Sequence, residues 1–217
     1  MSLLGVINIA LWGWLYRQLT TKGMTRYDHW QLILCGIYVF GCASRCFVLR
    51  GDVARYAMFD SWFSTVLVGR TIATLAELAF VAQWALLLLW LGKRVDQPKM
   101  RHFAYPIVPL IAIAETASWY GVLTTNYLGQ TIEESLWAGT AGLFMVGLFW
   151  CRKSAAADIK TLLNWGLVLC FGYLLFMTLI DVPNYYHLWQ VDERADKVYL
   201  SLRQGFVDIQ HMTITGR

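Results

Sequence analysis

Residues 61–90 read SWFSTVLVGRTIATLAELAFVAQWALLLLW. This is an apolar run of membrane-crossing length, and it carries Arg70 and Glu77 where a span is driest. A charge at mid-bilayer costs about 2.5–3.5 kcal/mol on insertion scales, so such residues face protein or a water-filled cavity rather than lipid. The rest of the chain has to supply their partners.

A spanning helix needs about 20 mainly apolar residues. Six windows approach that length: residues 3–16, 30–49, 61–91, 103–124, 135–151 and 161–181. With 58% hydrophobic and only 15% charged residues in 217, the chain is too apolar for an ordinary soluble domain. The expected fold is all-α: a polytopic integral membrane helical bundle of about six transmembrane helices over residues 1–190. A polar tail, 191–217, follows. There Val198, Leu202, Phe206 and Ile209 keep a helical spacing that predicts an amphipathic surface helix. The first window lacks a basic segment before it and a small-residue cleavage site after it, so it is read as a retained span.

Basic residues set the orientation. Arg17, Lys22 and Arg26 follow the first window, Lys93, Arg94, Lys99 and Arg101 the third, and Arg152, Lys153 and Lys160 the fifth. Residues 125–134 contain no Lys or Arg. The odd-numbered connections are thus expected in the cytoplasm and the N-terminus outside, in a plasma or inner membrane. Arg45, Arg50 and Arg55 run against this pattern and are partly offset by Asp52 and Asp60. The net charge of +4 lies between apolar runs rather than in a patch, which excludes nucleic acid as a partner.

Depth along the helices suggests how the buried charges pair. At 1.5 Å per residue from Ser61, Arg70 is roughly 13 Å in and Glu77 roughly 24 Å in; counted from Asn126, Glu115 is roughly 16 Å in. Arg70 and Glu77 share a face, but about 10 Å of rise separates them and helical side chains lean towards the N-terminus. The expected contact is therefore Arg70 with Glu115, across the bundle. Glu77 is left without a cation, hydrogen-bonded to Thr74 or to a tryptophan N–H, and is the group left to exchange a proton.

Other motifs have plainer readings. Cys35, Cys42 and Cys46 fall at i, i+7 and i+11 on one helix face. Such a face suits a soft metal such as Cu(I), but small thiols equally let helices pack closely, which is the reading adopted. Pro106 and Pro109 lie in the first turns of the fourth span, where a missing N–H matters least. Thr131, Glu133 and Glu134 read as a cap and first-turn acids at the start of the fifth. This paired acid is similar to the Glu–Glu that opens a helix in the membrane lycopene cyclases, although the other acidic motifs of that family are not in this chain. Pro183 is expected to end the sixth span. Asp60, Glu133, Glu134, Asp181 and His187 should gather at the outer face.

The four histidines are dispersed, and the sequence holds no Gly-rich phosphate loop, no HExxH, no CxxC and no nucleophile elbow. No cofactor is identified. The expected function is to bind or process a small lipophilic molecule, with Arg70 on an anionic or carbonyl group and Glu77 or Glu115 as acid and base. Eleven each of Trp, Tyr and Phe fit such a pocket. The alternatives are a proton- or ion-coupled transporter or channel, and a noncatalytic subunit of a membrane complex. The expected partners are the lipid bilayer, the lipophilic molecule, and further copies of the chain or other membrane subunits.

Overall fold

The computed structural model of the chain describes residues 2–48, 50–53, 56–57 and 61–210. It is almost wholly helical. The elements are α1 (Ser2–Lys22), α2 (Arg26–Phe47), α3 (Val66–Arg94), α4 (Met100–Ala104), α5 (Ile107–Thr124), α6 (Tyr127–Ser154), α7 (Ala157–Phe176), α8 (Val182–Arg194) and α9 (Leu202–Asp208). A two-residue antiparallel bridge joins Arg50–Gly51 to Tyr56–Ala57.

Among the described residues, four helical stretches are long and apolar enough to cross a membrane: Arg26–Phe47, Val66–Arg94, Met100–Thr124 and Ile159–Arg194. α1 and α6 have the length, at 21 and 28 residues, but are not among the four.

The chain divides into two compact units. The first takes the chain up to Phe80, Trp119–Asn126 and the chain from Val198; the second takes Val81–Ser118 and Tyr127–Lys197.

In the first unit α1 and α2 form a hairpin. Gly23, at φ 79°, makes the turn, and Thr25 and Asp28 close a capping box at the start of α2. Trp12 Nε1 donates to the Leu32 carbonyl at 3.0 Å, and Gly36 leaves room for its ring. Gly41 meets Ala76 of α3, where an added Cβ would lie 2.5 Å from the alanine methyl.

The tail corrects the sequence reading. Val198 is 90% exposed and lies outside any helix. The helix starts only after Ser201, which caps it in a reciprocal pair with Gln204. Ile209 is fully buried against Val66 and Val122, worth about 1.5–3 kcal/mol for a side chain of this size. The segment also closes two helix ends. Leu67 N–H donates to the Ile209 carbonyl, and Leu200 N–H donates to the Thr124 carbonyl, both at 3.1 Å. These are orphan groups of the α3 N-terminus and the α5 C-terminus.

In the second unit α6 is the central element and packs on α4, α7 and α8. Trp84 stacks on Phe144 at 5.0 Å and meets Trp137 and Tyr173 edge-on. Gly147 admits Leu88, which is fully buried.

Two expected boundaries are overturned here. α6 begins at Tyr127, so Thr131, Glu133 and Glu134 lie inside a helix already under way and do not cap it. The Thr131 hydroxyl accordingly donates back to the Tyr127 carbonyl at 3.0 Å. Nor does Pro183 end the last span: helix runs on through a π turn, Met177–Asp181, into α8. In that turn Val182 N–H reaches back five residues to the Met177 carbonyl. A wider turn of this kind relieves the clash and the missing donor that proline brings to a regular helix.

Candidate functional site

The second unit contains a pair of buried carboxylates. α5 and α6 run antiparallel, joined by a tight reversal. Thr125 sits at φ 60° and Asn126 N–H donates to the Gly121 carbonyl at 3.0 Å, closing the end of α5. Beyond it, Gln130 Nε2 donates to the carbonyl and hydroxyl oxygens of Ser118, each at 3.4 Å. Glu115 is three residues before Ser118 and Glu133 three after Gln130. The same step on facing helices brings the two acids level. Their carboxylate oxygens lie within 4.8 Å of each other. Glu115 is 3% exposed and Glu133 4%.

Two ionised carboxylates at that separation would repel by at least about 3 kcal/mol, taking an effective dielectric constant near 20. Both acids take part in further polar interactions. Gln130, one turn before Glu133, is buried, and its Oε1 has no hydrogen-bond partner among the described residues. Two buried carboxylates at this separation offer acceptors. They suit a bound hydrogen-bond donor or a hard cation.

A second acidic group lies in the same unit. Tyr185 of α8 is within electrostatic reach of Glu134, Asp181, Glu133 and Tyr127. Its ring lies 6.3 Å from that of Tyr127, over which Lys197 Nζ sits at 5.2 Å. Lys197 is also ion-paired to Asp192. Of the five residues expected at the outer face, Glu133, Glu134 and Asp181 thus act electrostatically on one tyrosine. His187 is exposed on α8, and Asp60 lies outside the described residues.

The first unit holds Arg70 and Glu77 on α3. Arg70 is 5% exposed and Glu77 half-buried. Glu77 is close enough to Tyr38 and Cys42 of α2 to interact with both electrostatically, and the Tyr38 hydroxyl and Cys42 thiol are hydrogen-bonded to each other. Phe80 stacks on Tyr38 at 4.5 Å. Thr74 accepts a hydrogen bond from Trp119 Nε1 at 3.0 Å. Cys35, Cys42 and Cys46 are all free thiols in half-buried positions. One thiol of the face is thus engaged by a tyrosine within its own helix.

Burial of Arg70 and of Glu115 was legible from their place in apolar runs. Sequence reasoning missed the partnership of Glu133 with Glu115, and missed Gln130, Tyr38 and Tyr185. One signal was available for the first. Glu115 and Glu133 are each nine residues from Thr124, so a tight turn there makes them neighbours. Comparison with known protein families, curated proteins and solved structures found no match to the chain.

Proposed function

We propose that this chain is an integral membrane protein of about six spans that binds a small lipophilic molecule by its polar end. The N-terminus is outside and the odd-numbered connections are cytoplasmic in this reading, as the distribution of Lys and Arg suggests. α1 and α6 complete the six spans when neighbouring helices shield their polar positions. One observation carries the functional reading: two carboxylates, Glu115 and Glu133, buried within 4.8 Å of each other and one turn from Gln130, whose Oε1 has no hydrogen-bond partner among the described residues. A buried amide oxygen such as that of Gln130 is costly unless something satisfies it. A lipophile ending in a hydroxyl or amine supplies donors while its body stays in the apolar bundle. Arg70 and Glu77 are assigned to the same function, Arg70 for an anionic or carbonyl group and Glu77 as a proton donor or acceptor.

Native mass spectrometry of the full chain, purified in mild detergent, tests this. The wild type should retain a small-molecule adduct that Glu115→Gln/Glu133→Gln loses. An adduct retained equally by the double variant, or none in the wild type, overturns the reading.

The same acid pair favours a second reading, proton- or cation-coupled transport, because carboxylates buried within spanning helices mark proton and ion pathways. Proteoliposomes separate the two: transport predicts a flux of protons or monovalent cations that the double variant abolishes, whereas simple ligand binding predicts none. A partner chain in the mass spectrum would instead support the subunit alternative.

A further inference from the structure

A groove of about 520 Å³ runs between α6 and α7 of the second unit, lined by Met145, Val146 and Phe149 on one side and Leu167, Val168 and Phe171 on the other. The lining repeats i, i+1, i+4 on both helices, as two antiparallel helices require when they splay slightly along a shared seam. The seam is close at Gly166, where an added Cβ would lie 3.3 Å from Leu148 Cδ1. Four of the six lining side chains are well exposed: Val146 45%, Phe149 49%, Val168 60% and Phe171 53%.

One end of this groove is strongly basic. One turn beyond Phe149 and Leu167, Arg152 Nε donates to Asn164 Oδ1, tying the two helices together. Lys153 continues the Val146–Phe149 face of α6, and its Nζ lies 5.0 Å from the Phe149 ring and 5.6 Å from that of Trp150. Lys99 Nζ lies 5.9 Å from the Trp150 ring centre. Lys160 lies at i−7 and i−11 from Leu167 and Phe171, on their face of α7. Asp158 is the one acid among residues 152–160. The N-cap of α7 is Ala156, whose side chain cannot accept from the first-turn amides, so these add to the positive end of the helix dipole.

We propose that this groove binds an anionic diacyl phospholipid of the surrounding membrane. One acyl chain lies between α6 and α7, and the phosphate sits against Lys153, Lys160 and the start of α7. The argument is charge complementarity at one end of an otherwise apolar slot. A zwitterionic lipid fills the slot equally well but gains little from the cations, and a soluble anion gains the cations without the slot. Basic recesses at the ends of membrane helices select anionic headgroups for this reason. The site is separate from Glu115 and Glu133 and stands whether or not a ligand binds there.

The test uses the full chain in detergent, titrated with phosphatidylglycerol or phosphatidylcholine of identical acyl chains and read by native mass spectrometry. The wild type should retain phosphatidylglycerol in clear preference. Lys153→Ala/Lys160→Ala, both exposed positions, should lose that preference by about 25-fold, roughly fivefold for each charge removed. Val168→Trp, which fills the slot, should lower retention of both lipids while leaving the lysines in place. Equal retention of the two lipids by the wild type, or a preference that survives in the lysine variant, overturns the proposal. So does undiminished retention in Val168→Trp.

Discussion

Glu115 of α5 and Glu133 of α6 hold carboxylate oxygens within 4.8 Å of each other at positions almost closed to solvent. The pair is placed by helix register, one turn from the Ser118–Gln130 hydrogen bonds. Glu133→Gln keeps the shape and removes one of two like charges. It should therefore stabilise the detergent-solubilised protein by about 1–2 kcal/mol while weakening ligand retention, the trade-off expected of a strained functional site. The double variant Glu115→Gln/Glu133→Gln should fall outside additivity by about 0.5–3 kcal/mol, as contacting residues do. Thermal unfolding of the four proteins in the cycle measures both. Additive effects, with Glu133→Gln destabilising, would show two structural acids that do not share a role.

Arg70 of α3 is 5% exposed and takes part in polar interactions. Arg70→Ala should cost about 3–5 kcal/mol, because removing a buried charge strands the groups that pair with it. Arg70→Lys keeps the charge and should recover much of that loss, and folded yield with fluorescence-detected size exclusion reads it directly. If Arg70→Lys is as damaging as Arg70→Ala, the planar guanidinium rather than its charge is what the fold requires.

The fold class was legible because it needs only composition. Long apolar runs flanked by basic residues specify helices whatever their packing. The helix ends were less legible, for local reasons. Thr125 adopts a left-handed conformation usually left to Gly or Asn, so the turn that starts α6 gave no Gly or Pro signal. Glu133 was consequently read as a cap when it stands one turn past Gln130 inside the helix. The Ser201–Gln204 capping box is written in the sequence, S-x-x-Q, but the i, i+4 pattern running through Val198 masked it. The burial of Ile209 was beyond reach, since it depends on Val66 and Val122, far away in the chain.

The π turn before Pro183 makes its own prediction. Pro183→Ala supplies an amide N–H that a regular helix would bond to the Leu179 carbonyl. Residues 177–181 should then close into α-helical register, rotating α8 by about 100° relative to α7. The gain in helix stability should be about 1 kcal/mol, below the roughly 3 kcal/mol cost of proline inside a helix, because the wide turn already absorbs most of the conflict. Hydrogen exchange decides the matter. A slowly exchanging amide at position 183 is expected, and a freely exchanging one means that the π turn is held by something other than the proline.

The tail offers the sharpest steric test. Gly205 lies so close to α5 that an added Cβ would stand 1.9 Å from the Leu123 carbonyl oxygen, a backbone atom that cannot swing aside. Gly205→Ala must therefore displace α9. With it go the burial of Ile209 and the Leu67 N–H to Ile209 carbonyl bond that closes the start of α3. The expected cost is about 1–3 kcal/mol. It should appear as faster tryptic cleavage at Arg203, which is exposed on the docked helix. The control is Val207→Ala on the same helix, at an exposed position, which should leave the cleavage rate unchanged. If Gly205→Ala is cut no faster than the wild type, the tail is held to α3 and α5 by contacts other than those of Gly205 and Ile209.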